Sequence, residues 1–511
     1  MDKVLILDFG GQYTQLIARR IRELNVFSEI VDYDIDISEI IKKGPKAIIL
    51  SGGYDSVYGD RSIKPNKEIW NLNIPILGIC YGFQVMIQEN GGMVENHKDS
   101  EEYGSTDIFF RENILFSEIP LSNNCWMSHS DSVVQLPKDF AAIASTNKCK
   151  VAAACNLSKN FFGVQFHPEV TQTLFGNQLL KNFLVKIAKI NRNWKPSNFQ
   201  EDAINEIKKT VGNDNVLCAI SGGVDSLVSA VLTSKAIGDK LYCVFVDHGL
   251  LRKDEANEVA YTLKKLIGKN IFLLDQKQTF LSRLKGITDP EEKRKIIGNT
   301  FIDVFEKVSK QLNVPFKFLL QGTIYPDIIE SGTKFSKTIK SHHNVGGLPE
   351  KLNFKLLEPL KYLFKDEVRQ LGLNLNIPYN NVYRQPFPGP GLAVRIIGEI
   401  TEEKIKILQE ADYLFRSFID KIYENSKEKP WQYFAVLTDS KSVGVVGDNR
   451  SYGYTLALRA VDSVDAMSAK WSKIPLDKLE KISSIICNKV SQICRVVYDI
   501  TNKPPGTIEW E

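Results

Sequence analysis

Short apolar runs, each the length of a buried strand, alternate along this chain with segments whose apolar residues recur at helical spacing. The clearest runs cover residues 4–7, 47–50, 75–79, 216–220, 241–246 and 316–320. Helical spacing between the first two runs is shown by Leu16, Ile17, Ile21 and Leu24. Strands that are separated by helices pair in parallel, because each helix carries the chain back along the sheet. The pattern therefore predicts α/β units with largely parallel sheets.

Two breaks in this alternation divide the chain. Residues 191–198 (N-R-N-W-K-P-S-N) are polar and contain a proline, which is typical of a linker. Residues 384–391 (R-Q-P-F-P-G-P-G) are too rich in proline to continue a helix or a central strand. At about 150 residues per domain, the 511 residues predict three domains. These are an α/β domain at 1–190, a second α/β domain at 199–385 and an α+β domain at 386–511.

Charge and cysteine pattern exclude several classes of protein. Lys plus Arg is 65 and Asp plus Glu is 61, a balance that does not favour a nucleic-acid-binding surface. The eight cysteines include no C-x-x-C pair, so a zinc ribbon or thioredoxin-type site is not expected. The N-terminus lacks signal-peptide features, and no apolar run approaches the roughly 18 residues of a membrane span. We expect a cytoplasmic protein with reduced thiols and with neither a nucleic-acid nor a membrane partner.

A cysteine lies where a predicted strand turns into a predicted helix. Gly78, Cys80 and Gly82 form G-x-C-x-G, the thiol counterpart of the strained G-x-S-x-G elbow that presents a nucleophile. A thiolate that attacks an acyl group needs a base and a group that orients the base. His167 and Glu169, in F-H-P-E, would point the same way on an extended segment. A lone cysteine or histidine is more often structural, but the elbow and F-H-P-E together favour a Cys–His–Glu triad.

Two loops have nearly the same sequence, S-G-G-Y-D-S at 51–56 and S-G-G-V-D-S at 221–226. Both follow a predicted strand, but only the second leads into an amphipathic helical pattern. A glycine-rich turn into a helix directs backbone N–H groups and the helix dipole at an anion. Asp225 would be out of place there without Mg²⁺, and the P-loop lysine is missing. The two loops are therefore predicted to differ in role, although a plain strand–helix turn is the alternative for the second.

Several short motifs resemble those of class I glutamine amidotransferases, namely D-F-G-G-Q-Y, the first S-G-G, G-I-C-Y-G and F-H-P-E. Enzymes of that family release ammonia from glutamine through a glutamyl thioester. The resemblance implies that Cys80 is the nucleophile, His167 the base and Glu169 the residue that orients the base. It also implies that the backbone N–H groups of Gly53 and Tyr81 form the oxyanion hole.

The second loop resembles the pyrophosphate-binding loop of ATP pyrophosphatases. Those enzymes cleave ATP between its α and β phosphates and adenylate an oxygen of the substrate. The resemblance implies that the loop binds ATP and the leaving pyrophosphate, with Asp225 as a ligand of Mg²⁺. The residues concerned are Ser221, Gly222, Gly223, Val224, Asp225 and Ser226.

Longer motifs indicate a more specific family. They are V-D-H-G-L-L-R at 246–252, E-K-R-K-I-I-G at 292–298, G-T-I-Y-P-D-I-I-E-S at 322–331, I-K-S-H-H-N-V-G-G-L at 339–348, K-S-V-G-V-V-G-D at 441–448 and Y-D-I-T-N-K-P-P-G-T-I-E-W-E at 498–511. Together they resemble the glutamine-hydrolysing GMP synthase family over essentially the whole chain. The resemblance implies that XMP, ATP, glutamine and water give GMP, AMP, pyrophosphate and glutamate, by way of adenyl-XMP.

The same resemblance implies nucleotide contacts and a homodimer formed by the C-terminal domain. The positions that match the XMP contacts of the family are Arg294, Asp448, Arg450, Lys503 and Glu509. Taken singly, each is as readily a solvated surface charge. A basic stretch is a candidate lid over the triphosphate and consists of Lys334, Lys337 and Lys340.

Two positions depart from the family pattern. Tyr54 follows the first S-G-G where proline is common, and Gln385 stands where histidine is usual, so a charge switch there is lost.

Two alternative functions stay open. The alternative enzyme is another glutamine-dependent adenylating amidotransferase, such as one that makes NAD from its acid precursor. A binding protein on an inactive enzyme scaffold is the alternative of a different class. It predicts damage at the triad or the second loop, and the sequence shows none.

Overall fold

A computed structural model describes residues 2–59, 62–96, 98–332, 354–424, 426, 428–446, 449–463 and 468–511. Two compact units are present. The first is built from described residues of Met1–Phe199, Ile324–His342 and Tyr362–Phe364, and the second from those of Gln200–Thr323, His343–Lys361 and Lys365–Glu511. Within the described ranges, none of the helices has both the length and the apolar character required to cross a bilayer.

The first unit is organised around a mixed nine-stranded sheet with the strand order β2-β1-β3-β4-β11-β10-β9-β6-β7. Pairing is parallel from β2 to β11 and antiparallel from β11 to β7. A separate pair is formed by β5 and β8. The strands are β1 Lys3–Phe9, β2 Phe27–Asp32, β3 Ala47–Gly53, β4 Ile76–Ile79, β5 Met93–Asn96, β6 Glu102–Phe110, β7 Ser122–His129, β8 Asp131–Gln135, β9 Ala141–Thr146, β10 Ala153–Asn156 and β11 Phe161–Val164.

Helices cover both faces of this sheet, which explains the continuous apolar runs. Val4 and Ile6 pack in one apolar cluster, whereas Leu5 and Leu7 pack in another, because successive side chains of a strand point to opposite faces. The helices of this unit are α1 Thr14–Glu23, α2 Ile37–Lys43, α3 Tyr81–Glu89 and α4 Gly176–Lys181, which continues as a π-helix over Asn182–Ile187. Short 3₁₀ turns lie at Lys67–Asn71, Lys98–Ser100 and Ile114–Phe116.

The second unit contains a parallel five-stranded sheet with the order β14-β13-β12-β15-β16. Its strands are β12 Asn215–Ile220, β13 Leu241–Asp247, β14 Ile271–Asp275, β15 Phe316–Leu320 and β16 Lys355–Leu357. A four-stranded sheet follows, made of β17 Gln432–Val446, β18 Asn449–Asp462, β19 Lys470–Trp471 and β20 Ile493–Asp499. Leu217 of β12 and Leu458 of β18 belong to one apolar cluster, so the two sheets share a core.

The remaining helices follow the chain from residue 196 onward. They are α5 Pro196–Val211, α6 Val224–Ile237, α7 Glu255–Leu266, α8 Lys277–Leu284, α9 Pro290–Gln311, α10 Tyr325–Gly332, α11 Lys365–Asn374, α12 Tyr379–Val382, α13 Glu402–Ile422 and α14 Leu476–Lys489. Two 3₁₀ turns lie at Gly238–Lys240 and Gly391–Arg395.

All six predicted strands are confirmed, and so is the α/β class. The segment 191–198, predicted as a linker, is more tightly packed than its polar sequence indicates. The backbone N–H of Trp194 donates to Asn25 O at 2.9 Å, and the Trp194 side chain is buried. Helix α5 already begins at Pro196. The predicted break at 384–391 contains neither helix nor strand before the turn at Gly391. The domain boundaries at 190, 199 and 385 stay predictions.

Candidate active site

Cys80 occupies a strained turn between β4 and α3. Its φ is +52° and its ψ is −108°, a conformation that L-residues seldom adopt. The turn is possible because the flanking residues are glycine. A Cβ on Gly78 would lie 2.7 Å from Gly82 O, and one on Gly82 would lie 2.4 Å from Leu50 O. The backbone N–H of Cys80 donates to Val164 O at 2.8 Å, which ties the elbow to β11.

His167 and Glu169 form the pair that the sequence predicts. Nδ1 of His167 lies 2.7 Å from Glu169 Oε1, and both side chains are buried. Burial by itself disfavours the imidazolium, but the carboxylate of Glu169 and the nearby thiol of Cys80 outweigh it and raise the pKa of His167 well above its usual value. The three side chains are therefore brought together, with the imidazole able to hold a proton beside the sulfur.

Further residues around the sulfur were missed by the sequence analysis. The Cys80 thiol lies 3.7 Å from Ser128 O, and Nε2 of Gln165 lies 3.7 Å from the sulfur. Gln84 donates to Gln165 Oε1 at 3.2 Å, which fixes the Gln165 amide. The ring of Tyr13 packs edge-on against His167 at a centroid distance of 5.0 Å. Gln165 follows the end of β11 at Val164 and precedes His167 by two residues, so its position next to F-H-P-E was a usable signal for it.

The first S-G-G lies directly beside this triad. A Cβ on Gly53 would lie 2.7 Å from Cγ of Tyr81, and one on Gly52 would lie 3.4 Å from Cε1 of His167. The N–H of Tyr81 belongs to the first residue of α3, so it has no partner within the helix. The two residues predicted to supply the oxyanion donors are thus neighbours. Tyr54, the departure from the family, is exposed.

The second S-G-G turns from β12 into α6. Gly222 has a φ of +78°, and Gly223 is the N-cap of the helix. The hydroxyls of Ser221 and Ser226 lie 3.1 Å apart, and Ser226 Oγ donates to Gly223 O at 3.0 Å. The loop is also closely covered, since a Cβ on Gly322 would lie 2.8 Å from Ser226 N. This is a helix N-terminus with hydroxyls around it, as the sequence predicts for an anion site.

Asp225 has one oxygen engaged and one unengaged. Its Oδ2 accepts from Lys365 Nζ at 2.5 Å, while Oδ1 is buried without a hydrogen-bond partner among the described residues. A buried carboxylate oxygen with unused lone pairs fits a Mg²⁺ ligand, because Mg²⁺ is bound through one or two carboxylates plus substrate phosphates. Lys365 is a cation beside the loop that the sequence analysis missed. Arg384 is a second one, with Nη1 at 3.4 Å from Gly222 O.

Comparison with known proteins decides the family. Residues 5–187 match the family described as Glutamine amidotransferase class-I, and residues 420–510 match GMP synthase C terminal domain. The chain is 78% identical over 511 residues to the GMP synthase [glutamine-hydrolyzing] of Malacoplasma penetrans, with 100% of both chains covered. It is 55% identical to the enzyme of that name from Caldicellulosiruptor saccharolyticus, with 99% of both covered, and 54% identical to that of Clostridium acetobutylicum, with 100% of both covered.

The chain belongs to the glutamine-hydrolysing GMP synthase family. This membership favours GMP synthesis over the NAD-forming alternative. The inactive-scaffold alternative predicted damage at the triad or the second loop, and the structure shows both in ordered arrangements.

Two of the residues predicted to bind XMP make contacts that involve the C-terminal tail. Arg294, on α9, donates from Nη2 to the Glu511 backbone O at 2.5 Å. Glu509 accepts from Arg395 at 2.8 and 2.9 Å and from Gln432 at 3.0 Å. Arg395 is fully buried. In this structure the Glu509 carboxylate therefore docks the tail inside the second unit.

The other XMP candidates are only partly described. Arg450 is exposed near the start of β18. The backbone of Lys503 pairs with Ala469 through two hydrogen bonds, at 2.8 and 3.0 Å. Asp448 and the lid candidates Lys334, Lys337 and Lys340 lie outside the described residues.

Gln385 has a defined structural contact where the family usually has histidine. Its Oε1 accepts the backbone N–H of Tyr433 at 3.0 Å, which ties the proline-rich loop to β17. An amide makes this bond at any pH, whereas a histidine would make it only through an unprotonated nitrogen. The position thus keeps a hydrogen bond and loses a titratable group.

Proposed function

We propose that the chain makes GMP from XMP, ATP and glutamine with two separate centres, one built on Cys80 and one on the loop at 221–226. The observation that carries the proposal is the Cys80–His167–Glu169 arrangement in a strained elbow, in a chain whose whole length matches glutamine-hydrolysing GMP synthases. Glutamine supplies the nitrogen, and ATP activates the XMP oxygen that the nitrogen replaces.

In the first centre, the Cys80 thiolate attacks the amide carbon of glutamine. The N–H groups of Gly53 and Tyr81 donate to the oxyanion that forms. The imidazolium of His167 gives its proton to the departing nitrogen, and ammonia leaves behind a glutamyl thioester. The neutral imidazole then takes a proton from water, which hydrolyses the thioester to glutamate. Glu169 holds the imidazole in place and stabilises its charged form.

Gln165 is the residue that we add to this centre. Its amide Nε2 lies 3.7 Å from the Cys80 sulfur, and its own oxygen is held by Gln84. A donor at that distance stabilises a thiolate electrostatically while leaving it free to attack. Gln165 therefore positions and stabilises the nucleophile between turnovers.

In the second centre, the XMP O2 oxygen attacks the α-phosphorus of ATP, and pyrophosphate leaves. Backbone N–H groups of the loop, the N-terminus of α6 and the hydroxyls of Ser221 and Ser226 bind the leaving pyrophosphate. Ammonia then attacks C2 of adenyl-XMP, and AMP leaves. Lys365 and Arg384 lie beside the loop, where Lys365 pairs with Asp225 and Arg384 pairs with Glu255.

Asp225 would hold Mg²⁺ in this centre through its unengaged Oδ1. Bound there, Mg²⁺ would neutralise charge on the phosphates. The ion pair with Lys365 fixes the Asp225 carboxylate before ATP arrives. XMP would be bound by Arg294, Asp448, Arg450, Lys503 and Glu509, with Lys334, Lys337 and Lys340 as the lid.

The assembly and location that we propose are those that the sequence predicts. The C-terminal domain forms a homodimer, and the enzyme works in the cytoplasm. All eight cysteines are free thiols, which supports a reducing compartment.

The deciding experiment measures GMP and AMP formed from ATP, Mg²⁺ and XMP by wild type and Cys80→Ala, each with glutamine or with ammonium. We expect Cys80→Ala to lose the glutamine reaction and to keep the ammonium reaction. A wild type that makes GMP with neither donor would overturn the choice of acceptor. Loss of both reactions in Cys80→Ala, in a protein that unfolds like wild type, would overturn the assignment of separate centres.

A further inference from the structure

Three potential metal ligands meet inside the first unit, apart from the catalytic triad. Glu102 at the start of β6, His129 at the end of β7 and Cys149 after β9 each contribute one ligand atom, and these atoms lie within 4.8 Å of one another. All three residues are at least nine-tenths buried. The proposed function uses none of them.

Two atoms of this cluster are buried without hydrogen-bond partners among the described residues, namely Oε2 of Glu102 and Nε2 of His129. They lie 3.4 Å apart. Nδ1 of His129 lies 2.9 Å from Asp131 O, and because a carbonyl only accepts, Nδ1 carries a proton. In neutral imidazole Nε2 is then an acceptor that faces another acceptor. The two atoms lie at ion-pair distance but form no hydrogen bond with each other.

A divalent cation satisfies both atoms at once. We propose that Glu102, His129 and Cys149 are three of the four ligands of a zinc-class metal ion, Zn²⁺ or a divalent ion of similar softness. A carboxylate oxygen, an imidazole nitrogen and a thiolate are the ligand types that Zn²⁺ takes in proteins. They lie about 2.0–2.3 Å from the ion, which places neighbouring ligand atoms of a tetrahedron roughly 3.3–3.7 Å apart. The Oε2–Nε2 distance of 3.4 Å already has this spacing.

The surroundings of the cluster also fit a metal site. Metal-binding histidines almost always donate their other N–H to a carbonyl or carboxylate, and ligating carboxylates are hydrogen-bonded in turn. His129 has Asp131 O as that partner. Glu102 Oε1 accepts from Thr146 Oγ1 at 2.7 Å, and the same hydroxyl accepts the Cys149 N–H at 2.8 Å. Thr146 thus links two of the three ligands and leaves Oε2 of Glu102 directed at the third.

The site would brace the segment that carries a contact of the nucleophile. Ser128, whose carbonyl lies 3.7 Å from the Cys80 sulfur, immediately precedes His129. Asp131 O accepts both from His129 and from Gln84 Nε2, at 2.9 Å each. An ion at the cluster would therefore fix the turn between β7 and β8. Its expected effect is on the stability of the first unit, while the chemistry of the glutaminase stays with Cys80.

The test titrates full-length metal-free protein with Co²⁺ and then with Zn²⁺. A thiolate bound to tetrahedral Co²⁺ gives a charge-transfer band in the near ultraviolet and intense visible bands. We expect binding of about one ion per chain, displacement of Co²⁺ by Zn²⁺, and a melting temperature that rises by several degrees with Zn²⁺. The titration is run in wild type and in Cys80→Ala, because the triad itself contains a cysteine, a histidine and a glutamate.

Single substitutions test which residues bind the ion. Cys149→Ser and Glu102→Gln should lower Zn²⁺ affinity more than about 100-fold, and Thr146→Val should lower it about 10–100-fold. Cys155→Ser is the matched control, because Cys155 is a buried thiol in the same sheet that is not part of the cluster. Glu102→Gln keeps the acceptor for Thr146, so a folding defect of Cys149→Ser does not decide the result.

Two results would overturn the proposal. One is the absence of the charge-transfer band in folded Cys80→Ala, which would place any bound ion at the catalytic thiol. The other is unchanged Zn²⁺ affinity in both Cys149→Ser and Glu102→Gln. Either result would leave the cluster as a buried polar contact and would leave the proposed GMP synthesis untouched.

Discussion

The loops at 51–56 and 221–226 differ in sequence at one position, but they have different neighbours and are followed by different elements. The first ends β3 and places its glycines against Tyr81 and His167. The second opens α6 and places its serine hydroxyls 3.1 Å apart at the helix N-terminus. The first therefore lies beside the proposed nucleophile, and the second lies at a helix N-terminus where we propose that pyrophosphate binds. A short glycine motif therefore does not determine the role of a loop by itself, because that role also depends on the structure formed by the residues that follow.

The glycines of the two loops are also needed for different reasons. In the first loop a Cβ on Gly53 is excluded by the ring of Tyr81, at 2.7 Å. In the second loop Gly222 is required by its φ of +78°. One loop thus depends on close approach and the other on backbone conformation, and single substitutions can separate the two.

The largest effect is expected at the triad. Glu169→Gln keeps the shape of the side chain but removes the charge that raises the pKa of His167. The imidazolium is then less favoured at neutral pH, and we expect glutamine-dependent turnover to fall by about 10²–10⁴-fold. Glutamate release measures this. Glu118→Gln, which changes an exposed carboxylate of the same unit, is the control and should match wild type.

A smaller loss is expected in the first loop. Gly53→Ala forces a Cβ into Tyr81 and displaces an oxyanion donor, so the glutamine reaction should fall by about 10²–10³-fold. Gly59→Ala is the control, because its Cβ would meet only ordinary contacts at 3.7 Å. If Gly53→Ala turns over glutamine normally, the first loop does not form the oxyanion hole.

A still smaller effect is expected in the second loop. Gly222→Ala forces alanine into a left-handed conformation at about 1–2 kcal/mol, so ATP-dependent synthesis should fall roughly 5–30-fold with either nitrogen donor. Gly223→Ala is the matched control, since its backbone is extended and its Cβ would lie 3.4 Å from Ser221 Oγ. Equal losses in both variants would show that conformation is not what the loop requires.

Two buried histidines have pKa values shifted in opposite directions. The pKa is raised in His167 of the first unit and lowered in His248 of the second. Burial lowers the pKa of His248 to about 4, against the opposing charges of Asp247 and Glu255. Because the folded pKa lies below the ordinary 6.5, the unfolded chain takes up the proton first. Stability from this residue is therefore complete above about pH 6.5 and is lost as the pH falls toward 4, by about 3 kcal/mol at most.

His248→Asn tests this dependence. The asparagine Oδ1 can still accept the Leu250 N–H, which donates to His248 Nδ1 at 3.2 Å, but it does not titrate. Urea unfolding at pH 7 and pH 5, followed in the second unit, should show a smaller loss of stability in the variant than in wild type. An equal loss would mean that His248 is not the group being charged.

Local sequence predicted the strands, the elbow and the placement of the second loop well, because each depends on a few neighbouring residues. The glycines of G-x-C-x-G and the apolar runs carry that information directly. Sequence did not show Lys365 or Arg384 beside the loop at 221–226, nor Gln84 behind Gln165, because those contacts join distant parts of the chain. The antiparallel half of the first sheet was also missed, and its strands β6 and β7 carry few consecutive buried residues.

The role of Glu509 shows the same limit. The nucleotide contact that the resemblance implies stays a prediction, and the structure adds an ion pair between the Glu509 carboxylate and the buried Arg395. No spacing in the sequence relates residue 509 to residue 395. A long-range ion pair of this kind becomes visible only when the tail is folded back.

The most direct test of two loops with two roles is ammonium-driven GMP synthesis by Gly53→Ala and by Asp225→Asn, measured side by side. We expect wild-type rates for Gly53→Ala, because ammonium bypasses the glutaminase. We expect loss of synthesis for Asp225→Asn, because its carboxylate is proposed to hold the Mg²⁺ that neutralises the phosphates. Loss in Gly53→Ala together with wild-type rates in Asp225→Asn would contradict the two separate roles.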